Sequence, residues 1–242
     1  MGKSSGLVLA IVLAGVAIGY HYAGNYARGR VEKSVVELLP GMIGPAQSYQ
    51  VEVSANTGQL IRKHVRTLTI HGDGVSLPGG IVVDKLEVRL KGVDFDTATS
   101  SVKNIDGAEF DASLFEANLN NYLIRTYPDI EDLKVQLLDG YCDVSARPKF
   151  AGVSAMVKAQ AVFEVGNGKL VNARITKATT AGLPAPAALR RYFEQKINPI
   201  LNTADFGFDT TLKAVTVRPG SVTLSGDANL TGRLRPAPSV NP

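Results

Sequence analysis

The sequence predicts an α+β fold that is mostly β: a long curved antiparallel sheet, a partial barrel, wrapped around two or three helices, with an N-terminal apolar helix. Three observations carry this prediction. After Tyr49 the apolar residues alternate at a period of two, which gives each strand one buried face. Two interruptions, near residues 115–123 and 189–197, switch to helical spacing. An unbroken apolar run, Gly6–Ile18, stands at the N-terminus. With 242 residues, 45% hydrophobic and 20% charged, the chain has the means to bury a core and does not read as disordered.

The N-terminal run follows Lys3 and continues through Tyr20, Tyr22 and Ala23, broken by His21. A signal peptide needs an apolar stretch of ~7–15 residues and a spanning helix about 20, so residues 1–23 fit a cleaved signal peptide or a retained membrane anchor. Both imply export to the cell envelope, as a membrane-anchored, periplasmic or secreted protein. Gly6 stands where N-myristoylation requires Ser or Thr. Residues 24–44 read as an amphipathic helix with Val31, Val35, Leu38 and Met42 on one stripe, stopped by Gly41 and Gly44-Pro45.

Residues 45–233 read as one domain, because no linker or low-complexity stretch divides them. Leu68 and Ile70 lead one strand, and the parity changes across Gly72-Asp73-Gly74 to Val75 and Leu77. Leu86, Val88 and Leu90 alternate until a slip at Gly92 moves the pattern to Val93 and Phe95, the signature of a β-bulge. Leu133, Val135 and Leu137 lead into a tight turn at Asp139-Gly140. A very long strand is expected over Val153–Val165, turning at Gly166-Asn167-Gly168 into Val171, Ala173 and Ile175. The last pair, Leu212–Val217 and Val222–Leu230, joins at Pro219-Gly220. Ser113-Leu-Phe-Glu116 reads as a capping box that opens the first inserted helix, with Phe115, Leu119 and Leu123 on one face. The second helix follows Pro184-Ala-Pro186, carries Leu189, Phe193 and Ile197, and ends at Asn198-Pro199. Residues 234–242 read as a disordered tail.

Catalytic and metal chemistry find little support. His64 and His71 have no second histidine or cysteine at zinc-ligand spacing. Asp94-Phe-Asp96 opens like a calcium loop, but Ala98 stands where a third oxygen ligand belongs. No Gly-x-Ser-x-Gly elbow is present, and no glycine-rich turn precedes a helix start. No cofactor or metal is implied. The single cysteine, Cys142, lies in an alternating run and reads as a buried apolar residue. A net charge of +4 is too small to point to nucleic acid. The densest basic cluster is Arg62, Lys63, His64 and Arg66, a solvated edge or a contact for lipid phosphate.

The order of these elements carries a resemblance. Leu77-Pro-Gly-Gly-Ile-Val-Val-Asp-Lys-Leu-Glu-Val-Arg-Leu-Lys-Gly-Val-Asp-Phe-Asp96 precedes Phe110-Asp-Ala-Ser-Leu-Phe-Glu-Ala-Asn-Leu-Asn-Asn-Tyr-Leu123, and Ile197-Asn-Pro-Ile-Leu201 leads into the final strand pair. Over most of Gln47–Leu230 this pattern resembles the LmeA-like phospholipid-binding family of bacterial envelope proteins. The resemblance implies an elongated sheet curled around helices, similar to tubular lipid-binding proteins, with phospholipid and membrane as partners and no catalytic residue. On that reading Leu86, Val88, Leu90, Phe115, Leu119, Leu123, Val157, Ala159, Ala161, Phe163, Leu189 and Phe193 line an apolar lipid site, and Arg62, Lys63 and Arg66 contact headgroups. The small side chains of Ala159 and Ala161 leave room for acyl chains or for a closely packed helix. An envelope scaffold without ligand, and an accessory to a glycolipid-processing enzyme, are the alternatives.

Overall fold

A computed structural model describes residues 36–37, 39–41, 43–54, 64–96, 101–150, 153–206 and 209–229. The segment 1–23, most of the helix expected at 24–44, Arg62, Lys63 and the tail lie outside the described residues. Within them, residues 36–37 and 39–41 are helical and Leu39 is fully buried. No helix among the described residues is long and apolar enough to cross a membrane.

In chain order the elements are β1 (Ser48–Ser54), β2 (His64–Ser76), β3 (Val82–Asp96), β4 (Ser101–Phe115), α1 (Glu116–Thr126), β5 (Glu131–Leu137), β6 (Cys142–Arg147) and β7 (Lys149–Phe150). There follow β8 (Val153–Ser154), β9 (Val157–Gly166), β10 (Leu170–Thr180), β11 (Leu183–Pro184), α2 (Ala187–Ile197), β12 (Leu201–Asn202), β13 (Asp209–Arg218) and β14 (Ser221–Asn229). The first sheet has the order β1-β2-β3-β4-β14-β13, the second β11-β10-β9-β6-β5, and β7 pairs with β8. The expected single sheet is therefore two, and neither closes into a barrel. The division falls where α1 interrupts the chain between β4 and β5, after which β5 opens a new sheet by pairing with β6.

The chain forms two compact units, one from residues 1–77, 85–110 and 227–242, the other from 78–84 and 111–226. Because β3, β4 and β14 contribute to both, no linker marks the boundary in the sequence. In the first unit β1 pairs antiparallel with β2, from Ser48 opposite Asp73 to Ser54 opposite Thr67. Leu68, Ile70, Val75, Leu86 and Leu90 are buried. Both parity changes fall at glycines with left-handed backbone, Gly74 (φ +60°) and Gly92 (φ +57°). At Gly92 a Cβ would also collide with the Asp106 carboxylate, so the parity change there has a firm requirement for glycine.

In the second unit, Asn167 and Gly168 take φ of +50° and +64°, the mirror-image turn that joins β9 to β10. The expected long strand from Val153 is broken. β8 turns back on β7, Ala155 and Met156 are exposed, and β9 starts only at Val157. The reason lies in the partner: Ala146 on β6 pairs with Val157, and Pro148 follows with no N–H to extend the ladder. The inner face of this sheet is apolar, with Val135, Leu137, Cys142, Val157, Ala161 and Ala173 buried. Helix α1 packs on β5 and α2 on β10. Their buried residues are Leu119 and Leu123 on α1, and Leu189, Phe193 and Ile197 on α2.

The helices also complete the sheet's free edges. Asn120 on α1 accepts from the Val135 amide (2.7 Å) and donates to its carbonyl (2.7 Å). One turn earlier Glu116 accepts from the Leu137 amide (2.8 Å). At the end of α2, Asn198 accepts from the Ala173 amide (2.7 Å) and donates to its carbonyl (2.8 Å), while Glu194 accepts from the Ile175 amide (2.7 Å). The same Glu-x-x-x-Asn spacing serves both edges, because residues four apart share a helix face and alternate residues share a strand edge.

The expected capping box is absent. The N-cap of α1 is Phe115, and Ser113, still within β4, hydrogen bonds Thr223 across the sheet (2.9 Å). Two other elements supply the capping groups. Asp84 on β3 accepts from the Phe115 amide (2.6 Å) and from Asn118 (2.8 Å), and the Gly220 carbonyl accepts from the Glu116 amide (3.0 Å). Glu116 is thereby free to bind β5. A side chain that replaces a strand has a measurable worth: Asn120→Ala should leave the Val135 amide and carbonyl unpaired and cost about 1–3 kcal/mol in urea denaturation. A variant with the wild-type midpoint and slope would show that the edge needs no such partner.

Candidate functional site

The apolar interior of the second unit contains two small voids of about 20 Å³ each, the first between the helices and the second sheet, the second between α1, the second sheet and the ends of β4 and β14. The first is walled by Leu123 and Tyr127 from α1 and its C-cap, Leu133, Val135, Val144 and Ala173 from the sheet, and Phe193 and Ile197 from α2. The second is walled by Ile81, Leu114, Leu119, Tyr122, Val171, Leu201, Val222 and Leu224. Phe163 and Ile200 belong to both walls. Each void holds about one water-sized guest, whereas even a benzene-sized guest occupies a cavity of about 150 Å³. An acyl chain therefore requires the helices and the sheet to part.

The polar atoms near these voids are already engaged. Tyr127 shares its hydroxyl proton between the Ile197 (2.8 Å) and Pro199 (3.1 Å) carbonyls. Burial raises its pKa, with a smaller contribution from Tyr122. Cys142 is fully buried on the inner face, with its thiol donating to the Ala161 carbonyl (3.5 Å). Burial pushes the thiol up to about 12, and Asp143 adds to the rise while the backbone contact opposes it. No cluster of three potential metal ligands occurs among the described residues. His64 binds Asp94 through Nδ1 (2.7 Å), so Asp94 serves a cross-strand contact. His71 faces Glu87 (3.7 Å).

Four of the expected lipid-site residues, Leu119, Leu123, Phe163 and Phe193, line the voids. Val157, Ala159, Ala161 and Leu189 are buried but line neither void, and the voids lie at the Phe163 end of β9. Leu86, Val88 and Leu90 are buried in β3 within the first unit. Phe115 is 44% exposed at the N-cap and faces no void. Arg66 is exposed on β2. Sequence periodicity overlooked Ile200, which follows the helix that periodicity detects. The Ile197–Leu201 segment nonetheless holds two of its determinants: Asn198, which fixes the edge of β10, and Ile200, which walls both voids.

A family model described as LmeA-like phospholipid-binding matches residues 20–227. The chain belongs to this family. The LmeA-like match spans both compact units and every element of the void walls. Comparison with curated proteins and with solved structures gave no match. The family is one of binding proteins by its description.

Cys142 reports on whether this layer opens. A thiol whose pKa is pushed up to about 12 stays protonated at pH 8, and burial also denies access to reagents. Iodoacetamide at pH 8 should leave the native protein unmodified and alkylate it fully in urea. Rapid labelling of the native state would show that the helices already separate from the sheet without ligand.

Proposed function

We propose that this LmeA-like protein binds phospholipid, or a related envelope lipid, by admitting acyl chains between the helix layer and the second sheet. The observation that carries the reading is the pair of apolar voids that share Phe163 and Ile200 as a wall. Displacing those two side chains joins the voids into one slot. Burial of an acyl chain then offsets the packing that Phe163 and Ile200 give up, at roughly 25 cal/mol per Å² of apolar surface removed from water. The protein acts as a carrier or holder in lipid transport or envelope maintenance and performs no reaction. Its apolar segment 1–23 exports it or holds it at the membrane.

The small size of the voids favours one competing reading, an envelope scaffold with a filled core. Native mass spectrometry of the full chain, followed by organic extraction, separates the two. Phe163→Ala should merge the voids, raise the lipid count per protein, and destabilise the delipidated form by less than the roughly 3–5 kcal/mol of a fully buried phenylalanine, because Phe163 is half-buried. Phe163→Trp should lower the lipid count. Absence of lipid from wild type and both variants alike would favour the scaffold.

A further inference from the structure

The face of the second sheet turned away from the helices carries a groove of about 510 Å³, within the size range of small-molecule sites. Two rungs of side chains cross its four strands. Lys134, Ser145, Lys158 and Thr179 stand opposite one another on β5, β6, β9 and β10. Two residues along, Gln136, Asp143, Gln160 and Lys177 form the next rung. Every side chain of these rungs is polar, so the groove offers nothing to an acyl chain. Asp143, Ser145, Gln160 and Thr179 are half-buried and form the floor, and the three lysines stand exposed around them.

Both outer strands slip register to present their lysine. From Glu131 to Lys134, β5 advances three residues while β6 advances two, from Arg147 to Ser145. The slip includes Asp132, whose φ of +53° is left-handed. On β10 the slip between Ile175 and Lys177 leaves Thr176 as the extra residue and sets Lys177 opposite Gln160. Side chains alternate between faces, so a regular β10 would turn Lys177 toward the helices.

The groove carries an excess of positive charge that its surroundings do not. On β3 and β4, Glu87 and Glu109 pair with Arg89 and Lys91. At the margins of the second sheet Arg147 pairs with Asp132, Lys149 with Glu131 and Arg174 with Glu164. Lys134, Lys158 and Lys177 make no ion pair with any described residue, and Asp143 is the groove's only carboxylate among the described residues. Three amines against one carboxylate leave two positive charges to be matched. A phosphate monoester carries about −1.5 to −2 at pH 7 and offers three acceptor oxygens. Neighbouring strands lie about 4.8 Å apart, so Lys134 and Lys158 bracket Ser145 over roughly 10 Å, and their flexible stems can converge on one such group.

Asp143 decides what accompanies the phosphate. Its carboxylate repels a second anion, which disfavours an acidic peptide, and it can only accept hydrogen bonds. The nearby lysines disfavour an ammonium at the same place. Hydroxyl groups satisfy it, and Gln136 and Gln160 on either side both donate and accept.

We propose that this groove binds a soluble phosphate monoester of a polyol, in the simplest case a sugar phosphate. The phosphate lies over Ser145 between Lys134 and Lys158, and the hydroxyls meet Gln136, Asp143 and Gln160. The site goes beyond the lipid reading and does not rest on it. Titration calorimetry of the full chain in a neutral detergent compares glucose 6-phosphate, glucose and inorganic phosphate. Glucose 6-phosphate should bind more tightly than inorganic phosphate, and glucose should give no measurable binding. Each hydrogen bond to a charged group is worth about tenfold, so Lys134→Gln and Lys158→Gln together should weaken glucose 6-phosphate on the order of 100-fold. Asp143→Ala should weaken glucose 6-phosphate yet tighten inorganic phosphate, a pair of opposite changes that a misfolded variant does not mimic. Absence of glucose 6-phosphate binding overturns the proposal. Equal affinity for glucose 6-phosphate and inorganic phosphate also overturns it, in favour of a plain anion site. Displacement of glucose 6-phosphate by phosphatidylglycerol vesicles, with none by phosphatidylcholine vesicles, overturns it in favour of a headgroup surface. The lipid count by native mass spectrometry should be equal in wild type and the double-lysine variant. A wild type that holds no lipid yet binds glucose 6-phosphate refutes the carrier reading and leaves the groove standing.

Discussion

The second sheet depends on helix side chains that take the place of missing strands. An exposed strand edge presents amides and carbonyls that either bond to water, recruit another chain, or are covered. Here Glu116 and Asn120 cover β5, and Glu194 and Asn198 cover the middle of β10. On β10 the cover continues on either side, with Ile200 donating to Val171 and β11 pairing at Thr179 and Thr180. A second closure forms around Glu116, whose amide bonds Gly220, while the Gly220 amide bonds the Leu137 carbonyl. Hydrogen bonds thus fix how the helices lie on the sheet, and apolar packing fills the space that remains.

On the proposed lipid-binding reading, that division of labour suits a layer that is well ordered and must open to admit a guest. The clamps act on the backbone of Val135 and Ala173, whose residues wall the first void, and the two voids meet at Phe163 and Ile200. Displacing two apolar side chains breaks no hydrogen bond, so a guest competes only with van der Waals and hydrophobic contacts, which an acyl chain replaces in kind. The sheet between the two faces then serves two chemistries. Alternation puts Val135, Ala159 and Ala161 on the helix side and Lys134, Lys158 and Gln160 on the groove side.

Most elements were legible because their signals are local. The turns at Asp139-Gly140, Gly166-Asn167-Gly168 and Pro219-Gly220 require left-handed backbone, which glycine and asparagine supply. The slip at Gly92 was visible as a change of parity, and α2 was bounded by proline on both sides. The failures have equally specific causes. Ser113 and Glu116 have the spacing of a capping box, but Asp84 and Gly220, distant in sequence, provide the cap. The apolar alternation continues through Ala155, but β6 ends before Pro148 and leaves β9 without a partner there.

The sequence by itself determined the mostly β character, the two inserted helices and the apolar face of each strand, because alternation, helical spacing and turn residues act over a few neighbouring positions. It also carried the family resemblance, through dispersed segments such as Ile197–Leu201. Only the tertiary structure decided where those faces meet. Phe163 and Ile200 share two voids, and Lys134, Lys158 and Lys177 share one groove, through strand register and two register shifts, in β5 and β10, that no local pattern encodes. Cross-strand pairing gathers a basic surface from lysines that are isolated in sequence. Register is a long-range property, set by which strands find each other and by how their free edges are satisfied.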